Sequence, residues 1–202
     1  HHIVADGWSV SILMSEFSQL YHHFLIGEKA ELTSLPPLKI QYGDYAAWQR
    51  DWLQGEVLSA ELNYWKNRLA GIPQVHNLPL DNPRPAQQQY QGDTLISSID
   101  SALHRKLQSA CQAQGVTLFM FLQAAFATLL HRYSGESDIV MGSPVAGRTH
   151  QDVEPLIGMF VNTLVLRNDF ESIENFHDVL AQSRQRILEA QQHQHVPFEM
   201  LV

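Results

Sequence analysis

The sequence is short of the features that mark several classes of protein. It has a single cysteine, Cys111, so no disulfide can form within the chain, and a reducing, cytoplasmic compartment fits. No apolar run approaches the length a helix needs to cross a bilayer. Runs of Lys or Arg are missing too, and 13 basic against 21 acidic residues give a formal charge of −8. That balance argues against a nucleic-acid partner. There is no His-Glu-x-x-His pattern, no internal repeat and no low-complexity tract. The chain has no Met at position 1, opens on its most chemically loaded stretch and stops mid-pattern at Phe198-Glu199-Met200-Leu201-Val202. Those features together predict a piece of a longer polypeptide. What is present is an ordinary globular balance, 45% hydrophobic and 17% charged over 202 residues, enough for a real core.

The stretch His1-His2-Ile3-Val4-Ala5-Asp6-Gly7-Trp8-Ser9 gathers the residue types that proton transfer needs. Imidazole is the side chain best matched to working pH as a general base. A nearby aspartate can orient the ring directly, or can hold the loop by pairing with an arginine elsewhere. Gly7 lets a backbone or a substrate approach closely. A helix follows, with Leu13, Phe17, Leu20 and Phe24 on one stripe and Gly27 as its stop. The histidines thus precede a helix N-terminus, whose dipole suits a neutral imidazole. Set against this are a merely structural or solvated histidine and a metal site built on His2 and Asp6, for which no third ligand is evident.

Along the chain, 28–41 reads as a linker around Pro36-Pro37. Asp44 is the expected N-cap of a helix with Tyr45, Trp48 and Trp52. Gly55 separates it from a second helix with Leu58, Leu62, Trp65 and Leu69, ended by Gly71 and Pro73. Residues 72–90 form an extended crossover, and the alternation in 93–99 predicts a half-exposed strand. Asp100 or Ser101 caps a helix that buries Cys111 and closes at Gly115. Thr117 opens a strongly apolar helix with Leu118, Leu122, Ala125, Phe126, Leu129 and Tyr133, expected to be the most buried one. A short strand, 138–142, runs into the loop Ser143-Pro144-Val145-Ala146-Gly147-Arg148. The run 157–167 predicts a central strand interrupted by Asn162, which is either a structural clamp or a substrate contact. A last helix carries Phe176, Leu180, Ser183 and Ile187, and the pair His193 and His195 follows, too few ligands for a metal.

His1-His2-x-x-x-Asp6-Gly7 resembles the motif shared by chloramphenicol acetyltransferase and the condensation domains of nonribosomal peptide synthetases. Three further stretches are similar to condensation-domain motifs: Tyr42-Gly43-Asp44-Tyr45-Ala46-Ala47-Trp48, Ile157-Gly158-Met159-Phe160-Val161-Asn162-Thr163, and His193-Gln194-His195-Val196-Pro197-Phe198-Glu199. His195 stands where an aspartate is common. Gly142 to Arg148 also sits in the expected place. The Asp-Phe-Gly-Trp-Gly motif of plant acyltransferases is absent, and Trp8-Ser9 reverses the Ser-Trp of epimerization domains. Val75-His76-Asn77-Leu78-Pro79-Leu80 resembles domains that follow an epimerizing module, including the dual epimerization/condensation type.

The resemblance implies an α/β, chloramphenicol acetyltransferase-like two-layer sandwich, mainly the C-terminal lobe of a two-lobe domain. Residues 1–27 would hold the catalytic motif and its helix, 28–91 a linker and aromatic helices, and 92–202 the C-terminal lobe. It implies amide formation between two carrier-bound thioesters, with His2 as catalytic base or as orienter of the amine. His1, Asp6, Gly7 and Arg148 would support it, with Arg148 the partner of Asp6. Trp8, Ser9 and Asn162 become substrate-channel candidates. No cofactor or metal would be bound by the domain itself. Phosphopantetheine arms on donor and acceptor carrier domains would bring the substrates, with an adenylation domain and the missing N-terminal lobe as further partners, and neither nucleic acid nor membrane. The rival expectations are a non-catalytic lobe that only docks carriers, or another acyltransferase with the same motif.

Overall fold

The computed structural model describes residues 1–26, 35–87 and 90–202. Among them six helices and two strands run in the order α1 (Gly7–Leu25), α2 (Tyr42–Trp52), α3 (Gly55–Arg68), α4 (Ser101–Gln114), α5 (Leu118–Ser134), β1 (Asp138–Val145), β2 (Asn162–Asp169) and α6 (Phe176–Gln192). β1 and β2 pair in a two-stranded sheet. The chain forms two compact units, each discontinuous in sequence. The first takes 1–70, 142–164 and 193–202, and the second takes 71–141 and 165–192.

In the first unit Val153, Leu156 and Phe160 are buried against Ile40, Tyr42 and Tyr45. Its aromatic residues pack in series, Tyr42 edge-on to Phe160, Tyr45 tilted against Trp48 and Trp48 stacked on Trp52. Trp65 of α3 is only 1% exposed, and its indole N–H donates to the carbonyl of His193 at 2.9 Å. The outer side of α1 is apolar and uncovered among the described residues, with Val10, Leu13, Met14, Phe17 and Tyr21 exposed. In the second unit α5 packs on α6. Ala124, Ala127, Ile139, Phe170, Val179 and Leu180 make its core, with Val116, Phe121 and Leu130 packed against them. A buried polar chain crosses that core: Gln123 donates to Asn168, which donates to Ser183. Cys111 is buried and free.

Several helix ends are the ones the side chains ask for. Asp100 caps α4 through Leu103 N at 2.7 Å, Thr117 caps α5 through Met120 N, and Gly115 takes the left-handed conformation that closes α4. Five expectations need correction. β1 runs on to Val145, through residues expected in the loop after 142. Asp44 is the third residue of α2, not its cap; its carboxylate accepts from the backbone N–H of Gln41, the actual N-cap, in a reciprocal capping box. Residues 93–99 form no strand: Leu95 and Ile96 are almost fully exposed, since alternation makes a ribbon only where another backbone pairs with it. α5 buries Met120, Gln123, Ala124 and Ala127, whereas Leu122, Phe126, Leu129 and Tyr133 face outward, and α6 buries more of its residues. A helix apolar on two sides does not disclose which side is covered. Finally, the strand expected over 157–167 begins only at Asn162. Gly27 and residues 28–34 of the expected linker lie outside the described residues.

Candidate functional site

The backbone of 158–160 stays out of the sheet because its polar groups are committed to the histidine loop. Gly158 O accepts from Asp6 N at 3.2 Å and Gly158 N donates to Ser9 Oγ at 3.0 Å. Met159 O accepts from the Tyr42 hydroxyl at 2.8 Å, and Phe160 N donates to Asp6 Oδ2 at 3.1 Å. Every backbone group must find a partner somewhere. Here the partners are Asp6 and Ser9 at the start of α1 and Tyr42 at the start of α2.

Asp6 is the hub. It is the N-cap of α1, accepting from Ser9 N at 2.8 Å, and its Oδ1 also accepts from Ser9 Oγ at 2.7 Å. Arg148 completes the set with an Nη2–Oδ1 ion pair of 3.2 Å, the two side chains being 1% and 0% exposed. The guanidinium is held on its other side as well. Its Nη1 donates to the carbonyls of Val153, Glu154 and Leu156, and its Cζ lies over the Phe160 ring, 4.1 Å from the ring centre. Gly147 makes this placement possible: it adopts φ +67°, and a Cβ there would collide with the Phe160 carbonyl. The pairing of Asp6 with Arg148 is therefore present, and it decides between the two roles open to the carboxylate. Among the described residues its hydrogen bonds come from Ser9, Phe160 and Arg148, and none from an imidazole.

The remaining candidates separate clearly. Ser9 is 0% exposed, and its one hydroxyl proton is shared between Asp6 Oδ1 and Gly158 O while Gly158 N and Arg148 occupy its lone pairs. It has no position left to offer a substrate. Trp8 is half exposed, with its indole N–H on Glu154 O at 3.1 Å. Asn162 is a clamp in this structure: its amide donates to the carbonyls of Gln194 and Val196, and its oxygen accepts from Thr163 N and Phe198 N. His1 is exposed and accepts from Ile3 N. His2 is exposed too, its Nδ1 3.2 Å from the sulfur of Met159. Gly7 has open space before it; a Cβ there would meet nothing within 4 Å. His193 stacks on Tyr64 and pairs with Glu61, and His195 sits edge-on to Trp52. A cavity of about 210 Å³ lies beside the loop, lined by Tyr45, Gln49, Thr149, Met159, Asn162 and His195 among others. Sequence reasoning missed Met159 and Tyr42; neither residue type announces such a contact, and only the motif around them marked the region.

Burial is the strongest influence on the Asp6 carboxyl and opposes its ionisation. Hydrogen bonds from Ser9 Oγ, Ser9 N and Phe160 N, with the charge of Arg148, outweigh it and hold the carboxyl below its ordinary value. Its stabilising contribution is therefore complete above the unfolded value, near about 3.9, and drains away as pH falls through the lower folded value. The urea midpoint of the native chain is expected to fall more steeply than that of Asp6→Asn between about pH 5 and pH 3. The carboxyl of Asp152 is also lowered, by its hydrogen bond from Lys39, and acts in the same direction in both proteins. Parallel curves would show that Asp6 carries no such linkage.

The start of α1 is thus pinned to a distant loop by a buried carboxylate–guanidinium pair, with two histidines just ahead of it. The chain belongs to the condensation-domain family, whose model matches residues 1–202. It is 48% identical over all of its length to a linear gramicidin synthase of Brevibacillus parabrevis and covers 3% of that protein. Tyrocidine synthase 3 of the same organism is 44% identical over the same 202 residues, again 3% of that protein. Malpinin synthetase of Mortierella alpina is 46% identical, with the same coverage of 100% and 3%. Among solved structures, the X-domain from teicoplanin biosynthesis superposes with a TM-score of 0.88 at 32% identity; the match covers all of this chain and 45% of that one. A four-domain nonribosomal peptide synthetase bound to AMP and glycine gives 0.85 at 29%, covering 15% of that chain. The fold is thus the chloramphenicol acetyltransferase-like one of condensation domains. The chain spans only a few per cent of the length of these curated relatives.

Proposed function

We propose that this chain supplies the catalytic loop and C-terminal lobe for amide formation between two thioesters carried on phosphopantetheine arms of donor and acceptor carrier domains. The observation that carries the reading is the exposed His2 set ahead of a helix start that Asp6 and Arg148 lock in place. In this reading the acceptor amine attacks the donor thioester carbonyl through a tetrahedral oxyanion. His2 takes up the ammonium proton or orients the amine, and the thiol of the donor arm leaves. The N–H groups of Gly7 and Trp8, at the open first turn of α1, are candidates for the oxyanion, because a helix start presents donors without intrahelical partners. An adenylation domain and a covering N-terminal lobe belong to the same synthetase, which would work in the cytoplasm. The passage 75–80 favours a donor delivered after epimerization, a feature shared by the dual epimerization/condensation type.

The test is product formation by the intact protein from two loaded carriers, compared with Gly7→Ala. Among the described residues no distant atom touches the added methyl, so folding stability is expected to stay within about 0.5 kcal/mol of wild type. Amide formation is expected to fall, because the methyl intrudes where the thioester must approach. No amide from the wild-type protein overturns the reading. Full activity in Gly7→Ala removes the oxyanion from this turn. A second reading, a lobe that only docks a partner, draws on the similarity to the X-domain, for which a complex with OxyB from the same biosynthesis is solved. Docking without turnover in the same assay would decide for it.

A further inference from the structure

We propose that Met159 sets the tautomer of His2: its thioether accepts the Nδ1–H, leaving Nε2 as the ring's one basic position. This rests on the reading of His2 as the catalytic group. The Nδ1–Sδ distance is 3.2 Å. A thioether has lone pairs and no proton to give, so the contact is attractive only while Nδ1 carries hydrogen. Which imidazole nitrogen is protonated is decided by the hydrogen bond the other one makes.

Met159 is fixed well enough to impose that choice. On one side, Gly158 is gripped through both its N–H and its carbonyl by Ser9 and Asp6. On the other, Phe160 N is tied to Asp6 Oδ2. Between them the Met159 carbonyl accepts from the Tyr42 hydroxyl. The Tyr42 ring is itself wedged edge-on to Phe160, with centroids 5.1 Å apart, and lies so close over Gly158 that any Cβ there would strike it. Asp6 therefore acts on His2 at one remove. Its carboxylate fixes the backbone whose side chain meets the imidazole, while the group in contact with the ring stays uncharged. A carboxylate in that place would add a charge beside the proton-transfer step; sulfur fixes orientation alone. In the resembled motif Ile-Gly-x-Phe-Val-Asn-Thr, Met159 occupies the unspecified position, so the family pattern does not assign it this part.

The experiment is long-range ¹H–¹⁵N correlation on the intact protein with ¹⁵N-labelled histidine at neutral pH, the His2 signals being those lost in His2→Ala. Wild type is expected to show protonated Nδ1 and bare Nε2. Met159→Leu keeps the volume and removes the acceptor; its His2 is expected to become a mixture of tautomers. Met159→Gln, whose amide oxygen can accept, is expected to restore the Nδ1–H form. In the intact protein Met159→Leu should lower kcat by roughly tenfold or less with KM little changed, the scale of one neutral hydrogen bond. A wild-type ring protonated at Nε2, or the same tautomer in Met159→Leu as in wild type, overturns the proposal. The wild-type spectrum and the glutamine variant decide it even where the leucine variant fails to fold. The spectra do not depend on turnover, so absence of amide formation would strike the functional reading and leave this one standing.

Discussion

Arg148→Ala and Asp6→Ala are each expected to cost about 3–5 kcal/mol of folding stability, the scale for breaking a buried ion pair from one side. Both side chains are at the limit of burial, so neither remaining charge reaches water. Removing Arg148 leaves an uncompensated carboxylate, takes a donor from the carbonyls of Val153 and Glu154, and strips the Leu156 carbonyl of its hydrogen bond. Its loss belongs at the upper end of the range. Removing Asp6 strips the acceptor from Ser9 N and Phe160 N, and α1 loses its cap, itself about 0.5–2 kcal/mol. The double variant should lose less than the sum, by about 0.5–3 kcal/mol, because the second removal no longer strands a partner. Guanidinium denaturation of the four proteins gives the cycle. Strictly additive losses would mean that the two groups stabilise the loop independently. Activity should fall in both single variants through lost geometry at the helix start.

The contrast between what could be read in the sequence and what could not follows from where each kind of information resides. The helix behind the histidines was legible because Leu13, Phe17 and Leu20 recur at helical spacing, whereas the capping role of Asp6 came from the structure. Asp100, Thr117 and Gly115 were legible because caps are local chemistry. The stretch 157–161 was not: its apolar residues look like a buried strand, but its N–H and carbonyl groups bond to side chains about 150 positions away. The covered face of α5 was equally hidden, since its alanine side and its leucine–phenylalanine side are both apolar. The pair Asp6–Arg148 spans 142 positions and was reached only through resemblance, and then confirmed by geometry. Met159 had no signal of its own, because a thioether serving as an acceptor is invisible in a pattern of residue types.

The last expectation concerns His2. In the intact protein, His2→Ala should reduce amide formation by about 100-fold or more, the usual contribution of a positioned general base. Folding should change little. The ring is exposed, and its recorded contact is with one thioether, so nothing buried is left unpaired when it goes. That separation distinguishes His2 from Asp6 and Arg148, whose removal harms the fold first. His1→Ala should affect catalysis less, because the His1 ring accepts from Ile3 N and shapes the turn from 1 to 4. The same pair of variants also bears on what His2 does. As a base it should be needed more with an acceptor amine that arrives protonated than with one of low basicity. As an orienter it should be needed equally with both. Carrier-loaded acceptors of graded amine basicity, assayed with wild type and His2→Ala, measure that difference directly. Near-native product formation by His2→Ala with every acceptor would remove the histidine from the chemistry altogether.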